Sequence, residues 1–114
     1  MRMKQAALAV VLMLACSTAA SQSVPPVMRY NGVVENIYIL YRCGALTSAR
    51  LAWLDNVRGH AMRAAGWDEA DAHAQDQLLT PEFERRYARG IAKERCDLLA
   101  RATDRERATT RLVP

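Results

Sequence analysis

The side chains best placed to do chemistry in this chain are its cysteines. Cys16 lies in an apolar opening segment, whereas Cys43 and Cys96 lie 53 residues apart in the polar body. Neither of the latter belongs to a Cys-x-x-Cys pair, so a dithiol redox centre is not indicated. The chemistry expected of Cys43 and Cys96 is a structural disulfide. The other metal-capable or proton-transferring residues are sparse. His60 and His73 are the two histidines, and Asp71, His73 and Asp76 are close in sequence. Their spacing fits no standard metal site, and an alanine-rich solvated helix accounts for them. The chain has no glycine-rich phosphate loop, nucleophile elbow or paired-histidine zinc motif. No catalytic, cofactor-binding or metal-binding residue is therefore assigned, and catalysis is not expected. A small periplasmic enzyme of unknown class stands as the second alternative.

The compartment follows from the first twenty residues. Met1–Lys4 is short and basic, residues 6–15 are an unbroken apolar run, and small residues lead to Ala19 and Ala20. This is the pattern of an export signal, with Thr18 and Ala20 at the positions that require small side chains. Leu14–Ala15–Cys16–Ser17 also resembles a bacterial lipobox. It departs from that pattern by carrying Met13 where Leu is usual and Leu14 where a small residue is common. Cys16 is thus a candidate lipidation site. On either reading Cys16 leaves the folded part, and Cys43 pairs with Cys96 in an oxidising compartment. The expected location is the periplasm or the exterior, with a lipid anchor at the cell envelope as the alternative. No second apolar run approaches the roughly 20 residues of a membrane-spanning helix.

Cleavage after Ala20 leaves 94 of the 114 residues, one small domain. Loss of Arg2 and Lys4 lowers the formal net charge from +4 to +2. That near-neutral balance makes nucleic acid an unsuitable partner.

The elements that must position the cysteines read as helices. Residues 1–20 are assigned to the signal, 21–33 to a flexible linker containing Pro25, Pro26, Asn31 and Gly32, 34–102 to a helical domain, and 103–114 to a charged tail. Ile39, Cys43, Leu46, Trp53, Val57, Ala61 and Ala64 recur at helical spacing, which predicts one long helix over 35–65 ending at Gly66. Ile37–Tyr41 alone would suit a strand, but no partner strand exists elsewhere. A short helix is predicted over 68–77, with Asp68, Glu69 and Asp71 at its start. A third begins at Thr80–Pro81 and carries Phe83, Tyr87, Ile91, Leu98 and Ala102 on one face. The predicted class is all-α: a small antiparallel helical hairpin, or three-helix domain, stapled by one disulfide.

Arg50 is the misfit. A helical wheel places it within the apolar arc of the first helix, where an unpaired charge is costly. Antiparallel packing registered on the disulfide puts it opposite Arg89, so a buried ion pair with Glu84 or Glu94 is predicted. Trp53 reads as core and Trp67 as a cover over the core's end. The mixed charge from Glu84 to Arg107 reads as a solvated face. The function expected is that of a small exported cell-envelope protein acting by protein–protein interaction, as a binding or chaperone-like module with an unknown envelope protein as partner. The first alternative is a lipidated accessory lipoprotein of an envelope complex.

Overall fold

The computed structural model describes residues 24–110; the segment read as an export signal, Cys16 and residues 111–114 lie outside them. Within that span the chain is all-α. Its helices are α1 (Pro26–Arg42), α2 (Ser48–Ala65), α3 (Glu69–Arg86) and α4 (Lys93–Thr109). Helix α1 is the centre: α2, α3 and α4 each pack on it, and α2 also meets α4.

Five boundaries differ from the sequence reading, each for a local reason. The Pro-Pro pair starts a helix instead of forming a linker. Pro25 is the N-cap and Pro26 the first residue of α1, where a missing N–H costs nothing and the fixed φ is already helical. The long helix over 35–65 is broken at Cys43–Thr47. Gly44 adopts φ +68°, its N–H donates to the Tyr41 carbonyl and the Ala45 N–H donates to that of Leu40. This two-bond closure is a Schellman motif, and Ala45 packs on the cluster containing Leu40 as the motif requires. Thr47 then caps α2 by accepting from the Arg50 N–H. Gly66 closes α2 in the same way, with φ +73° and with Trp67 N–H bonded to the Met62 carbonyl.

Pro81, expected to open a helix, sits inside α3, which joins the two helices predicted separately there. The hydrogen bond it cannot make would have gone to the carbonyl of Gln77, which is on the exposed side and open to water. The start of α3 is fixed instead by a reciprocal capping box between Asp68 and Asp71. The third predicted helix stops at Tyr87, and Gly90 turns the chain with φ +94°. The supposed tail from Thr103 onward is the second half of α4. Thr103 is 4% exposed and returns its hydroxyl to the Leu99 carbonyl.

The core has two parts. Tyr30, Ile39, Ala61, Met62, Ala72, Leu79, Phe83 and Tyr87 bind α1, α2 and α3 together. Val33, Leu40, Leu54 and Ala100 join α1 and α2 to α4. Cys43 and Cys96 are bonded, their Cα atoms 5.8 Å apart, linking the end of α1 to the first turn of α4.

Candidate interaction groove

The polar side chains with the most organised surroundings are engaged with one another. Tyr30 is fully buried on α1. Its hydroxyl donates to Asp76 Oδ1 of α3 at 2.5 Å, and Arg58 of α2 reaches the other Asp76 oxygen at 3.5 Å. The Arg58 guanidinium lies over the Tyr30 ring, 5.4 Å from its centre, and Trp67 meets that ring edge-on at 5.2 Å. The arrangement ties three helices at one point. Burial, and then the bond to Asp76, push the Tyr30 phenol up to about 12. A group whose folded pKa is raised contributes stability that is complete below its unfolded pKa. We therefore expect stability to fall as pH rises from about 10 through 12. Thermal melting across that range, compared with Tyr30→Phe, checks this, and the variant should lose the steepest part of the decline.

A second network joins α1, α3 and α4. Tyr87 donates to Glu35 at 2.8 Å and accepts from Arg95 at 3.0 Å, while Arg86 binds both Glu35 and Glu82. Glu35, Glu82 and Arg86 line a cleft of about 300 Å³ that opens beside Gly32. Its two carboxylates share Arg86, so one of the two negative charges there is offset.

Arg50 pairs with neither predicted acid. It forms two hydrogen bonds with Asp104, at 3.0 and 2.9 Å, and donates to the Ala45 carbonyl at 2.7 Å. Glu84 and Glu94 are exposed. The predicted register assumed a partner strand of helix running backward from Cys96. The break at Gly44 changes that direction, so Arg50, seven residues past Cys43, meets Asp104, eight residues past Cys96. Arg50 holds the Asp104 carboxyl below its usual range. That depressed value makes the contribution present at neutral pH and lost as pH falls through the folded pKa. We expect Arg50→Met to lower Tm by a few degrees, and by less in high salt, because the pair is partly exposed and screened. Melting at two salt concentrations checks this.

The residues considered for metal binding do not converge. Asp71 is consumed by the α3 cap, Asp76 by Tyr30 and Arg58, and His73 is exposed. Among the described residues no three His, Cys, Asp or Glu side chains form a metal-sized cluster. Trp53 is half-buried against the Leu40–Leu54 cluster, and Trp67 covers the end of the other.

What is left uncommitted is apolar. Helix α1 is apolar around nearly its whole circumference over Val33–Tyr41, the pattern of a helix enclosed on all sides. Three sides are covered by α2, α3 and α4. On the remaining side Val34, Ile37 and Tyr41 face a groove of about 290 Å³ whose other walls are Leu46, Thr80 and Phe83. Tyr41 is 71% exposed there. The one ionised wall residue, Asp76, is compensated within the protein by Arg58. The sequence reading keeps Ile37–Tyr41 in the long helix and names Ile39, not Ile37 or Tyr41, on its apolar face. A sign of the groove was present in it: seven large apolar residues in nine positions of one helix exceed what one buried stripe can use.

No family model matches this chain, and neither a curated protein nor a solved structure is similar to it. Among the described residues no helix is long and apolar enough to cross a membrane.

Proposed function

We propose that this is a small exported cell-envelope protein that works by protein–protein interaction. Its α1 groove receives an amphipathic helix of another envelope protein. The observation carrying this reading is the groove beside Val34, Ile37 and Tyr41, where Tyr41 is largely exposed and Val34 and Ile37 are half-buried, on a helix otherwise enclosed by three neighbours. A helix supplied from outside completes the packing that α1 lacks, by the helix-in-groove mode. The compensated charge of the walls favours an apolar helix face over a charged peptide. The Cys43–Cys96 disulfide and the leader-like residues 1–20 support export. The lipobox-like Leu14–Ser17 supports the alternative form, an envelope lipoprotein anchored through Cys16; the intact mass of membrane-extracted protein separates the two.

The groove is tested by cross-linked co-purification from the native envelope, with Ile37→Glu beside the wild type. A charge at that wall should reduce recovery of a discrete partner by at least about tenfold, since burying it unpaired is costly. Equal recovery with both proteins, or no discrete partner for either, overturns the reading.

A further inference from the structure

Helix α4 is held differently from the other three. It has 17 residues, yet its fully buried side chains are only Ala100 and Thr103. Its Leu98 is 63% exposed. Its first turn has no side-chain cap, the N-cap being Ala92. Between α4 and α1 there is a gap of about 210 Å³, bordered by Ile39 of α1 and by Leu98 and Leu99 of α4. Little of this helix is secured by apolar packing.

Specific fasteners hold it instead. The Cys43–Cys96 bond anchors its first turn to the end of α1. The Arg50–Asp104 pair anchors its second half to α2. Arg95 adds a hydrogen bond to Tyr87. Beneath these fasteners lie Val33, Leu40 and Leu54, a layer of large apolar side chains on the α1–α2 hairpin that Ala100 and Leu99 cover. Cys43 and Cys96 are each only partly buried, so a thiolate can approach the bond.

We propose that α4 is a strap, released from the apolar face of the α1–α2 hairpin when thiol–disulfide exchange opens the Cys43–Cys96 bond. The reductant is a dithiol, small or carried by a thiol–disulfide oxidoreductase. One of its thiolates attacks a cystine sulfur, the S–S bond breaks, and the other cysteine leaves as a thiolate that takes a proton. The dithiol's second sulfur then resolves the mixed disulfide. The protein gains two electrons and two protons, and the dithiol becomes a disulfide. The first turn of α4 is then uncapped and untethered, and the helix is held by its two polar links, the small buried Ala100 and Thr103, and the half-buried Leu99. Its opening bares Leu40, Leu54 and Val33. This switch is separate from the α1–α3 groove and does not depend on what that groove binds.

Hydrogen exchange on the whole protein, oxidised and then reduced with dithiothreitol, tests the strap, with thiol labelling to confirm reduction. In the reduced protein we expect amides of α4 to exchange at least about tenfold faster than the slowest amides of α1, α2 and α3, which speed up only as far as the fall in global stability carries them. Fluorescence of an added hydrophobic dye should rise in parallel. A Cys43→Ser/Cys96→Ser variant should show the same selective exchange without reductant. Unchanged α4 protection in fully reduced protein overturns the proposal. So does exchange of α4 at the same opening free energy as the slowest amides of α1, α2 and α3 in the reduced protein, which would make the bond a general clamp.

Discussion

Replacing Tyr30 with alanine should lower the free energy of unfolding by about 3–5 kcal/mol, the range for truncating a buried aromatic. The ring is fully buried and is the point at which α1, α2 and α3 meet. Its loss leaves a cavity beside Trp67, removes the surface on which the Arg58 guanidinium lies, and leaves Asp76 without its phenolic donor. Tyr30→Phe separates these contributions, because it keeps the ring and deletes only the hydroxyl. It should cost roughly 1.5–3 kcal/mol, the range for a hydrogen bond to a charged group. Urea titration of the oxidised protein measures both. A Tyr30→Ala change within 1 kcal/mol of wild type would mean that the three-helix junction does not hold the fold together.

Loss of the disulfide should be comparably severe for global stability. The cross-link spans 53 residues, and the chain-entropy relation gives about 4 kcal/mol for a loop of that length. In a domain of this size that corresponds to a fall in Tm of roughly 20 °C. Thermal melting of Cys43→Ser/Cys96→Ser beside the wild type reads it directly. The effect acts mainly through the unfolded chain, which regains the freedom the bond removes. The strap behaviour of α4 acts in the native state and is resolved helix by helix through exchange. Global stability sets the slowest exchange in α1, α2 and α3, and the strap is read as α4 exchanging faster than that limit.

The disulfide and the all-α class could be read from the sequence because each rests on strong local signals. An apolar leader removes Cys16 from consideration, leaving two cysteines, and helical spacing of large apolar residues runs through the body of the chain. The helix boundaries were not legible in the same way. Ile39, Cys43, Leu46 and Trp53 keep nearly helical phase across Gly44, so periodicity alone carries one helix through a turn that the backbone makes. Pro81 misleads in the opposite direction. Its preference for a first turn and the cost of about 3 kcal/mol inside a helix both argue for a boundary there, yet α3 runs through it on an exposed face. The part of the tail within α4 has no large apolar residue, yet Thr103 is buried with its hydroxyl bonded to its own helix, and the partly exposed Asp104 is held by a distant arginine. The error over Arg50 descends from the first of these. Its need for an acid was correctly inferred, but a turn at Gly44 reverses the direction in which that acid must be sought. The groove is not legible from the helical stripe, which names Ile39 and passes over Val34, Ile37 and Tyr41, whose neighbours only the fold supplies.

The most direct test of the interaction account places a photo-activated cross-linking amino acid at Tyr41, in the groove, and at Arg105, on the exposed face of α4. The two proteins are irradiated in the native envelope. The account predicts one dominant adduct of discrete mass at position 41, absent at 105 and abolished by Ile37→Glu. Similar adducts at both positions, or none at 41 from protein shown to be folded, would contradict it.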